Sequence, residues 1–170
     1  MKLKWKAVTG LAEVTLMVLV GTLYWAGTRQ PDLPRVSFLT LAGERIPSEA
    51  LRGKVLLVNF WATSCTTCVK EMPQLVATHQ QYAARGFETV AVAMSYDPPN
   101  YVAAFASSRR LPFKVALDPT GEVARAFGDI RLTPTTFLID RKGRIVKRYL
   151  GEPDFQALGA LVDKLLAAPA

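Results

Sequence analysis

The sequence predicts an α/β fold, a mixed central sheet with helices on both faces. Three observations predict it. The run KVLLVNFWA at 54–62 is apolar throughout and carries no helix caps, as a strand buried on both faces does. A second such run, FETVAVAMS at 87–95, follows a stretch with helical spacing. The last two strand-like runs are separated only by Arg141-Lys142-Gly143, room for a hairpin and not for a crossover. Alternating strands and helices build parallel pairs, and the hairpin adds an antiparallel one.

The elements follow in order. Val36 to Leu41 alternates weakly and ends at the turn Ala42-Gly43, and the short run Ile46 to Leu51 ends at Arg52-Gly53-Lys54. After the strand at 54–62, Cys68 to Arg85 reads as a helix. Val69, Met72, Leu75, Val76 and Tyr82 fall largely on one face, Pro73 is expected to kink it, and Gly86 ends it. Asp97-Pro98-Pro99-Asn100 opens a helix that runs through Tyr101 to about Ser108. Phe113 to Leu117 is the third strand of the soluble part's α/β pattern and Glu122 to Phe127 a short helix. Thr135 to Asp140 and Arg144 to Leu150 complete the strands. Asp154 to Ala168 is an amphipathic helix with Phe155, Leu158, Leu161, Val162 and Leu165 facing in.

With 170 residues the chain holds one domain and a short extra segment. Residues 1–30 form that segment and 31–170 the domain. MKLKWK is basic, and AVTGLAEVTLMVLVGTLYWA at 7–26 is about long enough for one membrane span, with Tyr24 and Trp25 at its far end. Lysines before the run orient the N-terminus inside and the domain outside. Glu13 interrupts the run near its start, where it can snorkel. A signal cleaved after Ala26 or Gly27 would place bulky Tyr24 or Trp25 at −3, so we read an uncleaved anchor. Gly27 to Pro34 is the linker. The expected location is therefore the bacterial inner membrane, with the domain in the periplasm or outside the cell membrane.

The net charge of +7 divides as +3 in residues 1–30 and +4 in the rest. Arg141, Lys142, Arg144, Lys147 and Arg148 cluster near one hairpin and read as a solvated face. No motif points to nucleic acid.

The chain has two cysteines, in WATSCTTCVKEMP at 61–73. Cys65 and Cys68 are too close to staple a fold. Their place, between a buried strand and a helix start, suits redox chemistry. At a helix N-terminus a thiolate meets free N–H groups and the positive end of the macrodipole, which lowers its pKa. Cys65 is then the exposed nucleophile, and Cys68, one turn deeper, resolves the mixed disulfide. A pair of buried structural cysteines or half of a zinc site are the competing readings. Structural zinc needs a second Cys or His pair, and the single histidine, His79, reads as a surface or capping residue far down the helix. We expect neither metal nor cofactor.

The stretch KVLLVNFWATSCTTCVKEMP, together with LTPTTFLIDRKGRIV at 132–146, resembles the thioredoxin superfamily. Within it the similarity is to the membrane-anchored, extracytoplasmic TlpA/ResA/CcmG-like thiol–disulfide oxidoreductases, over about residues 34–168. The resemblance implies a thioredoxin-like fold with an added N-terminal hairpin and a central helix–strand insertion at Tyr96 to Leu117. It implies Cys65 as nucleophile, Cys68 as resolving thiol, and Thr133-Pro134 as the cis-proline loop that pairs with an extended substrate. Glu71 matches a glutamate linked to proton transfer and specificity, and it has no rival in the motif, because the buried aspartate of thioredoxin falls on Asn59. Trp61 is a candidate for packing under the motif and contacting substrate, with plain core as the equal alternative. The implied partners are thiols or disulfides of exported proteins and a membrane thiol electron donor; the implied substrates include apocytochrome haem-attachment cysteines.

Two positions depart from the family pattern. Ser64 stands where most relatives carry an aromatic, and Thr66-Thr67 where a proline is usual. The direction of electron flow stays open at this point, with a reductase expected. Two rival activities are weaker. A thiol peroxidase wants threonine three before its cysteine, and Ala62 is there; a Sco-like copper chaperone adds a downstream histidine, and none follows His79.

Overall fold

The computed structural model describes residues 31–169 together with Met17, Val18 and Gly21, which lie in helix. The chain divides into two units, Met1–Pro31 and Asp32–Ala170. Apart from those three positions, the expected membrane span lies outside the described residues. Among the described residues no helix is long and apolar enough to cross a membrane.

The second unit is a seven-stranded sheet flanked by helices. Its strands are β1 (Ser37–Thr40), β2 (Arg45–Pro47), β3 (Val55–Trp61), β4 (Phe87–Ala93), β5 (Lys114–Leu117), β6 (Thr135–Ile139) and β7 (Ile145–Leu150). Its helices are α1 (Thr66–Tyr82), α2 (Pro99–Ser108), α3 (Glu122–Ala126) and α4 (Phe155–Ala167). The sheet order is β2-β1-β5-β4-β3-β6-β7. The strands β3, β4 and β5 run parallel, and all other pairs are antiparallel. The sheet is mixed, as the sequence predicts. The N-terminal hairpin β1–β2 extends it beyond β5, and the α2–β5 unit is the predicted insertion.

Every residue of β3 and β4 is buried. Their alternation divides two cores. Val55, Leu57 and Trp61 face α1, α2 and α4 with Met72, Leu75, Val102, Leu158 and Val162. Leu56, Val58 and Phe60 face the other side with Phe38, Val123, Phe127 and Phe137. Helices therefore lie on both faces, three on one and the short α3 on the other.

Several boundaries differ from the sequence reading. The helix α1 starts at Thr66 because Cys65, not Cys68, is its N-cap, and it is unbroken across Pro73. The missing N–H of Pro73 falls opposite the carbonyl of half-buried Val69, where solvent can substitute. The helix α2 starts at Pro99, inside the predicted opening, since proline suits the first helical turn. On α4 the buried stripe is Leu158, Val162 and Leu166, while Phe155, Leu161 and Leu165 are half-buried. Asp154 caps this helix, accepting from the Gln156 and Ala157 N–H groups. His79 is not a surface or capping residue. It is buried, edge-on to Phe113 and 3.2 Å from the Thr89 hydroxyl.

Candidate active site

The chain leaves β3 at Trp61 and turns through Ala62, Thr63 and Ser64 to Cys65, whose N–H bonds the Ala62 carbonyl. Cys65 has extended backbone angles, its carbonyl accepts from Val69 N–H, and its sulfur accepts from Cys68 N–H at 3.2 Å. A sulfur in the capping position meets an unpaired helix N–H and the macrodipole together. Both stabilise a thiolate there once the pair is reduced. Cys65 and Cys68 form a disulfide, with Cα atoms 5.2 Å apart. Cys65 is half-buried and Cys68 fully buried, so only the first sulfur is open to a partner.

The loop carrying Cys65 is anchored from the insertion side. Buried Asp97 accepts from the Thr63 N–H and the Thr63 hydroxyl, both at 2.6 Å. Sequence reasoning placed Asp97 at a helix opening and missed this anchor; its side chain reaches back to β3's loop rather than capping α2, which has no side-chain cap.

On the opposite rim the Thr133–Pro134 bond is cis. The Thr133 carbonyl oxygen is 3.5 Å from Cys65 Sγ. In the disulfide no S–H exists to donate, so this is a contact; in the dithiol form it becomes a weak hydrogen bond. Among the described residues the Thr133 N–H and C=O make no backbone hydrogen bond. The structure thus brings Thr133, Pro134 and Cys65 together.

Glu71 is fully buried, one helical turn beyond Cys68 and on the same face. Its Oε1 accepts from Asn59 Nδ2 at 2.9 Å, and Asn59 Nδ2 also donates to Thr136 Oγ1 at 2.9 Å. Glu71 Oε2 and Asn59 Oδ1 are buried without partners. Burial pushes the Glu71 carboxyl up to about 7; the Asn59 bond opposes this and the Glu152 charge adds to it. A signal for the Asn59–Thr136 link existed in the sequence: Asn59 is the single polar residue in VLLVNFW.

Trp61 is corrected. It has no exposed surface, stacks tilted on Phe105 at 5.1 Å and lies in the same core as Cys68. It supports the pair from beneath and offers a substrate nothing to touch. His79 lies eleven residues beyond Cys68 on α1, about 16 Å along the axis, too far to join the pair.

A cysteine pair at the junction of a buried strand and a long helix, with the carbonyl before a cis-proline against its half-buried sulfur, defines a thiol–disulfide oxidoreductase of the thioredoxin fold. The comparisons agree. Residues 26–162 match the Redoxin family. The chain is 32% identical over 134 residues to the thiol-disulfide oxidoreductase ResA of Bacillus thuringiensis subsp. konkukian, covering 79% of this chain and 76% of that one. It is 33% identical over 150 residues to ResA of Bacillus subtilis, covering 84% and 83%. A solved thiol:disulfide interchange protein of the thioredoxin family from Chlorobium tepidum superposes with TM-score 0.75 at 30% identity, covering 82% and 99%. The chain belongs to the Redoxin family, among its TlpA/ResA/CcmG-like members.

Proposed function

We propose that this oxidoreductase works as a reductase of disulfides in exported proteins. Cys65 thiolate attacks the substrate disulfide and expels one substrate thiolate, forming a mixed disulfide. Cys68 then attacks Cys65, releasing the second substrate thiol and leaving the Cys65–Cys68 disulfide. Two electrons pass to the substrate, and a membrane thiol donor restores the pair. Haem-attachment cysteines of apocytochromes are the substrates that the family resemblance favours. The N-terminal segment holds the domain at the membrane, outside the cytoplasm.

The observation that supports exchange through this pair is Glu71. Cys68 is buried and must lose a proton to attack. A carboxyl raised to about 7 on the adjacent turn accepts that proton near neutral pH. Reverse flow uses the same groups, so direction rests on the potential.

The test is the reduction potential of the pair, measured on the full chain equilibrated against dithiol and glutathione buffers. A value at or below about −230 mV supports the reductase, and one near about −120 mV overturns it in favour of an oxidant. Cys68→Ser should trap a mixed disulfide through Cys65, and Cys65→Ser should trap none.

A further inference from the structure

Ser64 leaves the first cysteine without the aromatic neighbour that the family pattern supplies. The structure places another aromatic at that rim, from a different element. Tyr96, on the β4–α2 connection, is 57% exposed, and its hydroxyl is 3.3 Å from the Thr133 hydroxyl. Thr133 is the residue whose carbonyl touches Cys65 Sγ and whose N–H and C=O have no backbone partner among the described residues. Leu132, just before it in the chain, is 63% exposed.

Tyr96 is also held in place. The Asp97 N–H bonds the Met94 carbonyl, and the Asp97 carboxylate grips Thr63. The ring is fixed at the backbone on one side and at its hydroxyl on the other. An exposed aromatic fixed in this way loses little conformational entropy on binding, which is what a docking contact requires. Tyrosine and other aromatics are also the residues most enriched in the centres of protein interfaces.

We propose that Tyr96 is a specificity-determining residue for this reaction, the platform on which the substrate side chain beside the attacked cysteine packs. This rests on the reductase reading above. The occupant is an extended segment of the substrate protein. Its backbone pairs with the open N–H and C=O of Thr133. That pairing sets its disulfide at Cys65 and turns an apolar or aromatic side chain next to the cysteine onto the Tyr96 ring. Tyr96 thereby fills from the insertion the role that Ser64 does not.

The experiment is single-turnover mixing of the reduced full chain with three oxidised probes. Two are synthetic peptides with one internal disulfide, one carrying Phe beside each cysteine and the other Gly. The third is hydroxyethyl disulfide. Each turnover oxidises one Cys65–Cys68 pair and reduces one probe disulfide, so no recycling reductant is needed. The wild-type chain should prefer the Phe peptide, and Tyr96→Ala should erase that preference, a loss of about fivefold in second-order rate. Its rates with the Gly peptide and hydroxyethyl disulfide should be unchanged, which shows that the variant is folded and the thiol pair intact. Tyr96→Phe should retain most of the preference, since the ring remains. Ser64→Trp in the Tyr96→Ala background should restore it. A wild-type chain with no preference, or a Tyr96→Ala variant that keeps it, overturns the proposal. A wild-type chain inactive on all three probes overturns the reductase reading, and the proposal with it.

Discussion

The Asn59 side-chain amide on β3 donates to Glu71 Oε1 on α1 at 2.9 Å and, from the same nitrogen, to Thr136 Oγ1 on β6 at 2.9 Å. Three elements are thus tied together by polar groups directly below the cysteine pair. The tie is incomplete. Glu71 receives one donor, while its second oxygen and the Asn59 carbonyl have no partner. One neutral hydrogen bond does not offset the desolvation of a buried carboxylate, so the protonated form is favoured up to about pH 7.

The first prediction concerns stability. Glu71 titrates at about 7 in the fold against an ordinary value of 4.5. Between these values the native state holds a proton that the unfolded chain releases, so stability falls as pH rises through that window. Glu71→Gln keeps the acceptor for Asn59 and removes the titration. The oxidised variant should match wild type near pH 4.5 and exceed it progressively up to about pH 8, by about 3 kcal/mol at most. Guanidinium unfolding across the range checks this. Parallel curves for the two proteins would show that Glu71 is not the titrating group.

The second prediction concerns the proton transfer. The Asn59 bond holds the Glu71 pKa down against burial. Asn59→Ala removes it and should move the pH midpoint of the single-turnover rate above that of the wild-type chain. The rate at high pH should recover much of its wild-type value, because the base is still present. Glu71→Gln should abolish that midpoint and slow the reaction by about 10²-fold. A midpoint that stays in place in both variants would assign it to another group.

The third prediction concerns the loop before Cys65. Asp97 satisfies a backbone N–H and a hydroxyl of Thr63 with its two oxygens. Asp97→Asn retains one acceptor and should cost about 1–2 kcal/mol. Asp97→Ala leaves both Thr63 groups without partners and should cost about 2–3 kcal/mol. Denaturant midpoints should fall in that order at unchanged slope. Equal losses in the two variants would mean that packing of the side chain, not its hydrogen bonds, holds the loop.

The sheet, its hairpin and the position of the thiol pair were legible because they rest on local signals. Runs such as VLLVNFW and FETVAVA, short, uncapped and bounded by turn residues, read as buried strands, and both cysteines fall at the junction of the first run with a helix. The Thr133–Pro134 cis bond was legible only through family resemblance, since nothing local in Leu132-Thr133-Pro134-Thr135 excludes a trans turn. What was not legible depends on pairing across the chain. Asp97 lies 34 residues from Thr63, and Asn59 lies 77 from Thr136. No periodicity reports which buried polar groups will meet. Trp61 shows the same limit from the apolar side. Its place beside the motif suggested a substrate contact, but the parity of β3 turns it inward onto Phe105. His79 was misread for a related reason: a helix histidine usually faces water, and here its face of α1 lies on β4.

The fourth prediction follows from that buried histidine. Burial lowers the His79 pKa, Glu88 raises it, and Lys114 and Lys54 lower it further, with a net shift downward from 6.5. The ring is therefore neutral in the fold where the unfolded chain begins to protonate. Its contribution to stability is complete above about pH 6.5 and is lost as pH falls through the folded value. This sign is opposite to that of Glu71, so the two partly cancel in the wild-type curve and neither is visible alone. Subtracting the His79→Gln curve from the wild-type curve removes the Glu71 contribution, which both proteins share. At pH 7.5 the variant should be less stable by about 1–2 kcal/mol, for the lost Thr89 hydrogen bond and the edge contact with Phe113. That deficit should shrink as pH falls below about 6.5. A deficit constant with pH would mean that His79 protonates in the folded protein as readily as in the unfolded one. Its burial against Phe113 and Phe87 would then carry no electrostatic cost.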